Sequence, residues 1–203
     1  MKTVYPTNLT ERENYKFLIG SIIPRPVAVV SSMDEEGLIN IAPFSYFNIV
    51  TSNPPIVSVS IQRHGDGQMK DTARNIIRNK QGVIHILDEG IVEDANKTAA
   101  TLPSGQSELD LTTFQLADSV HVKVPGIQEA RIRFEVELYR HIEIENEGRP
   151  SADLLLMQIK AYHIEEELYY NGRIDPNGLA PISRLAGSNY SKLGEIFSIE
   201  RPS

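Results

Sequence analysis

Apolar and polar positions alternate with a period of two along much of this chain. From Arg131 to Glu145, Ile132, Phe134, Val136, Leu138, Ile142 and Ile144 share one parity, interrupted at Arg140, which predicts a long strand with one buried face. The following run, "ADLLLMQIKAYHIEEELYY", starts apolar on both parities, as a central strand does. Nearer the N-terminus, "NYKFLIGSIIPRPVAVVSSMDEEGLINIAPFSYF" reads as two β-branched, aromatic-rich strands around a "DEEG" turn. "PPIVSVSIQR" adds a third, with Ile56, Ser58 and Ser60 on one face and Val57, Val59 and Ile61 on the other. Three consecutive antiparallel strands are therefore expected. The period changes in "KDTARNIIRNK", where Ala73, Ile76 and Ile77 predict a short helix with Asp71 or Thr72 as N-cap. "GVIHILDE" predicts another strand, and "IVEDANKTAATL" a helix whose apolar face carries Ile91, Ala95, Thr98 and Leu102. A loop follows from Pro103, and the Gly-, Pro- and Asn-rich end of the chain predicts loops and a short helix laid over the rest. Runs of strands with a few short helices point to a mainly β antiparallel barrel or sandwich with peripheral helices.

Composition narrows the chemistry. At 203 residues, one domain spanning 1–203 is expected. Its apolar runs are too short to cross a bilayer, and the N-terminus lacks a basic segment followed by an apolar core. A cytoplasmic protein without membrane attachment is the expectation. The absence of cysteine excludes disulfides, thiolate nucleophiles and iron-sulfur ligation, so electron transfer would need a bound carrier. A net charge of -7 argues against nucleic acid while permitting a local basic pocket for one phosphate.

Two segments carry candidate chemistry. "NIAPFSYFN" places Ala42, Pro43 and Ser45 inside the most aromatic stretch. Small side chains would let a ligand approach the main chain, and Pro43 would interrupt the ladder; a barrel corner is the structural alternative. In "RHGDGQMKDTARNI", Arg63 and Lys70 flank a glycine-containing loop ahead of a helix start, which outlines an anion site or, more simply, a solvated loop with an ordinary cap. The histidines occur singly, without metal-ligand spacing, so no metal site is expected. Ser188, Tyr190 and Lys192 lack a nucleophile elbow or a paired histidine, and no catalytic acid-base dyad stands out. Glu165 to Glu167 read as a solvated edge.

Taken together, "RPVAVVSSMDEEGLINIAPFSYFNIVTSNPPIVSVSI", "KDTARNI" and "SRLAGSNYSKLGEIFSIERP" resemble the flavin reductase-like family of FMN-binding split barrels, in its flavoredoxin-type branch. The resemblance implies an antiparallel, Greek-key-like split β barrel that forms a homodimer and holds FMN. It assigns the isoalloxazine side to Ala42, Pro43, Phe44 and Ser45, largely through backbone atoms, and the phosphate end to Ser60, Arg63, Lys70, Asp71 and Thr72. Arg25, in "IPRPVA", adds a contact from the first strand, while Asn189 and Tyr190 close over the flavin or reach the other subunit. It further implies an oxidoreductase in which NADH or NADPH passes hydride to FMN, with a redox protein or a monooxygenase as candidate partner. An FMN-binding electron carrier reduced by a protein is the alternative.

Overall fold

The computed structural model describes residues 1–100, 102 and 105–202. Its strands are β1 (Arg25–Pro26), β2 (Ala28–Met33), β3 (Ile39–Phe44), β4 (Phe47–Ser52), β5 (Pro55–Gln62), β6 (Gln81–Ile86), β7 (Leu116–Ala117), β8 (Gly126–Ile127), β9 (Ile132–Asn146), β10 (Arg149–Ile164), β11 (Tyr169–Tyr170), β12 (Arg173–Ile174), β13 (Ser183–Arg184) and β14 (Tyr190–Ser191). The helices are α1 (Glu11–Ser21), α2 (Asp71–Asn79), α3 (Val92–Lys97) and α4 (Pro176–Leu179). No described helix is long and apolar enough to cross a membrane.

Seven strands form one antiparallel sheet in the order β3-β2-β6-β9-β10-β5-β4. Its two edges, β3 and β4, are joined by Ser45 and Tyr46 alone. Three Cα steps span at most about 11 Å, so the sheet must curl until its edges nearly meet. The fold is a split β barrel, open between β3 and β4. This corrects the expectation of three consecutive neighbouring strands: the "NIAPFSYFN" run leaves the β2 ladder after Phe44 and joins β5 from Phe47, so β3 and β5 are not partners.

Barrel interior and outer layer are separate cores. Ala28, Val30, Val57, Val59, Ile61, Leu155 and Met157 pack inside with Ala73 and Ile76 of α2. Val27, Val29, Ile39 and Ile41 pack outside beneath Ile91 and Ala95, Phe114 and Ile182. β2 is thus buried on both faces, and Val57, Val59 and Ile61 point inward as their parity predicts.

Other departures have local causes. "NYKFLIG" is helical, because Thr10 and Glu13 form a capping box: the Glu13 amide donates to Thr10 Oγ1 at 3.3 Å, and the Thr10 amide to Glu13 Oε2 at 2.9 Å. The N-cap of α2 is Lys70, with no side-chain cap, rather than Asp71 or Thr72. Helix α3 stops at Lys97; Leu102 is not helical, and Thr101, Pro103 and Ser104 lie outside the described residues. The register of β9 on β10 slips around Tyr139, one residue before Arg140, and the buried face ends there: Ile142 and Ile144 are 38% and 42% exposed. Ser188 to Lys192 contain the short β14, which pairs β13 and through it β1. Glu165 and Glu167 both pair with Arg131.

Candidate flavin site

An uncovered edge strand leaves main-chain groups that need partners, and β3 meets this residue by residue. Its edge-facing positions are odd-numbered. Ser107 Oγ donates to Ile39 O at 2.5 Å, and the Ile41 amide donates to Glu108 Oε2 at 3.2 Å. Pro43 is next, and a residue without an N–H leaves no orphan donor at an unpaired edge. By the same alternation the Pro43 carbonyl faces outward, into the split, and Ser45 follows in the bend beyond the strand. The proline removes a donor from the edge one residue before the run leaves the β2 ladder at Phe44, where the barrel opens.

Two adjoining clefts occupy this opening, about 250 and 180 Å³ in volume. Both are lined by Pro43, Phe44, Lys70 and Ala99, which makes them one trough with Lys70 at the junction. The larger cleft adds Arg25, Ser45, Ser60, Arg184 and Tyr190, with Tyr15 and Ile19 of α1 as a wall. The smaller adds Ala42, Asp71, Thr72, His64 and Glu108. Ten of the twelve expected residues are thereby gathered. Arg63 and Asn189 are not. Arg63 donates to Asp153 through Nε at 3.0 Å and Nη2 at 2.8 Å and to the Gly67 carbonyl at 3.3 Å, and it also pairs with Glu143. A guanidinium locked onto a buried carboxylate is not available to a phosphate. Asn189 is exposed in the turn between β13 and β14, where its amide donates to Ala186 O.

Arg25 lines the larger cleft but is committed as well. Its guanidinium donates to the carbonyls of Ile19 (2.9 Å), Ile22 (2.5 Å) and Leu185 (3.0 Å), and Nε to Ser45 Oγ at 3.4 Å. It ties the end of α1 and the β13–β14 turn to the start of the split. Sequence reasoning missed the α1 wall and Arg184, whose guanidinium lies 4.4 Å from the centre of the Tyr190 ring. "TERE" is a legible capping box; nothing in "SRLAGSNY" sets Arg184 apart.

The trough suits an anionic ligand. Among the described residues no carboxylate lines the larger cleft, although the chain carries 27 acidic residues against 20 basic ones. Lys70 has no carboxylate or hydrogen-bond acceptor among them. The first amides of α2 lack side-chain caps, and Thr72 Oγ1, which accepts from Asn40 Nδ2 at 2.8 Å, keeps its own proton to donate. Of the two acids of the smaller cleft, Asp71 pairs with Arg74, and burial pushes the Glu108 carboxyl up despite the amide hydrogen bonds that lower it. Lys70, Thr72 and the first amides of α2 are donors suited to an anion, and the open edge at Pro43 to Ser45 offers main chain and an aromatic side chain to a flat ligand.

A family model described as "Flavin reductase like domain" matches residues 19–178. The chain belongs to this family. Nitrilotriacetate monooxygenase component B from Bacillus cereus is 50% identical, superposes with a TM-score of 0.96, and the match covers 98% of each chain. The Pseudomonas fluorescens 2-nitrobenzoate 2-nitroreductase NbaA is 30% identical, with a TM-score of 0.89 over 99% of this chain and 96% of that one. A split-barrel-domain protein from Shewanella frigidimarina, at 18% identity and TM-score 0.83, covers 97% and 96% respectively and supports the fold assignment.

Proposed function

We propose that this flavin reductase-like chain, as one domain spanning 1–203 and as a homodimer in the cytoplasm, binds FMN in the trough and uses NADH or NADPH to reduce it. The observation that carries this reading is the open edge of β3, lined by small and aromatic residues, beside an uncommitted Lys70 at the start of α2. When bound, FMN supplies an electron pair acceptor for hydride from a nicotinamide. The chain's own contribution is positioning. Lys70, Thr72 and the first amides of α2 hold the phosphate, Ser60 adds a hydroxyl, and the Pro43 carbonyl and Ser45 amide meet the polar ring edge. Phe44 and Tyr190 exclude water from its sides, and Arg25 acts at one remove by fixing Ser45. Hydride transfer between aligned rings needs no acid-base dyad in the trough.

That a 50% identical chain carries the name of a monooxygenase component B supports a monooxygenase as recipient of the reduced flavin. The test is anaerobic mixing of the FMN-loaded protein with NADH and with NADPH. Loss of the oxidised-flavin absorbance with turnover is expected. An unreduced flavin with both donors, but stoichiometric reduction by a redox protein, would replace this reading with an electron carrier.

A further inference from the structure

Three cations line the larger cleft, and they differ in what remains of their donors. Arg25 has none to spare, and Lys70 stands at the junction that suits the flavin phosphate. Arg184 is left. Its Nη2 donates to Gly187 O at 2.6 Å, and no other hydrogen bond or ion pair engages the guanidinium among the described residues. It is nevertheless held in place. One face stacks on the Tyr190 ring at 4.4 Å, and the Tyr190 hydroxyl donates to Asn96 Oδ1 at 3.1 Å, anchoring the stack to α3. Its backbone pairs with Arg25 across β1 and β13 and with Tyr190 across β13 and β14. A preorganised, half-buried arginine with unused in-plane donors, in a cleft without acids, is an anion receptor.

We propose that Arg184, stacked on Tyr190, is a second anion subsite that takes the phosphate or carboxylate of the reactant meeting the flavin. This deepens the proposed function by naming what the reactant must carry. The shared chemistry is a flat redox-active ring bearing an anion. Two sources provide it: the phosphate of a nicotinamide nucleotide donor, or the carboxylate of an aromatic acceptor. The absence of acids along the cleft serves both, since a single negative lining group would cancel much of the attraction at this range.

The experiment uses FMN-loaded protein, with FMN retention measured first, so that failure of the flavin reading is seen separately. Dissociation constants are then measured by calorimetry for NAD⁺, NMN and 1-benzylnicotinamide, and for 2-nitrobenzoate and nitrobenzene, on wild type, Arg184→Gln and Arg184→Lys. If the donor is the source, Arg184→Gln weakens NAD⁺ and NMN roughly tenfold or more, the range for a lost charge-assisted contact, and leaves 1-benzylnicotinamide unchanged. If an acceptor is the source, 2-nitrobenzoate weakens and nitrobenzene does not. In either case Arg184→Lys recovers part of the loss and FMN affinity is unchanged. Equal losses for ligands with and without the anionic group, or no loss at all, would overturn the proposal and leave Arg184 as a wall.

Discussion

The Lys70 ammonium stands at the start of a helix with no hydrogen bond or ion pair among the described residues, an unusual economy for a side chain at the junction of two clefts. If it holds the flavin phosphate, Lys70→Ala should weaken FMN by about 1.5 to 3 kcal/mol, roughly tenfold or more, and leave riboflavin, which lacks the phosphate, almost unaffected. Fluorescence titration of both flavins decides it, and equal losses would remove Lys70 from that role. His85 presents the opposite economy. It is wholly buried, with Nδ1 2.8 Å from Val29 O and the Ile127 amide donating to Nε2 at 2.8 Å, which fixes the tautomer protonated at Nδ1. Gly126 permits that approach, since a Cβ there would stand 3.2 Å from His85 Nε2 and 2.9 Å from Arg133 Cδ. Burial, aided by the Arg133 charge and opposed by the Val29 hydrogen bond, holds the imidazole down to about 4. The unfolded chain takes up this proton near pH 6.5 and the folded one only near 4, so stability is complete above the upper value and falls as pH drops between the two. The loss amounts to about 3 kcal/mol at most. Urea midpoints from pH 7.5 to 4.5 should therefore be flatter for His85→Gln than for wild type; parallel profiles would contradict the neutral assignment.

At the scale of elements, the site depends on pieces that the barrel does not itself stabilise. Helix α1 buries only Ile19, so its place against the trough rests on its cap and on the Arg25 clamp at its last turn. Thr10→Ala removes the cap, typically worth about 1 kcal/mol, and should speed amide exchange within Glu11–Ser21 roughly fivefold while β9 and β10 stay protected. Uniform acceleration across the chain would mean that α1 is coupled to the global fold. What could be read in the sequence follows from how local each signal is. The β9 pattern as far as Leu138, the β10 pattern, the α2 periodicity and the inward parity of Val57, Val59 and Ile61 are nearest-neighbour facts, and they survive folding. The capping box before α1 was equally local, but the apolar run behind it resembled a strand. That β3 and β4 lie at opposite edges was not legible, because nothing between Phe44 and Phe47 encodes which ladder each side joins. Arg63 misled for the same reason: its carboxylate partner, Asp153, is ninety positions away and becomes a neighbour only when β10 pairs with β5.

At the scale of the whole molecule, the apolar surface argues for a second copy. β4 is an edge strand with Ile49 77% and Val50 49% exposed, and α1 turns Phe17 and Leu18 outward beside the trough. Long edges with exposed aliphatic side chains are usually blunted by charge or covered, and no charged residue interrupts Phe47–Ser52. A homodimer that buries this edge would account for both features and would bring the partner close to the flavin. Ile49→Glu tests it cleanly. Within one chain the side chain is largely solvated, so the substitution should cost the isolated fold under about 0.5 kcal/mol. In a dimer the same carboxylate would be buried opposite apolar surface, where an unpaired charge is costly. Light scattering coupled to gel filtration should then give twice the 22.7 kDa chain mass for wild type and the single mass for the variant, with an unchanged circular dichroism spectrum. A wild type that elutes as a monomer would remove the dimer from the proposed function. A variant that stays dimeric and as stable as wild type would place the interface elsewhere, leaving the β4 edge exposed in the assembled protein.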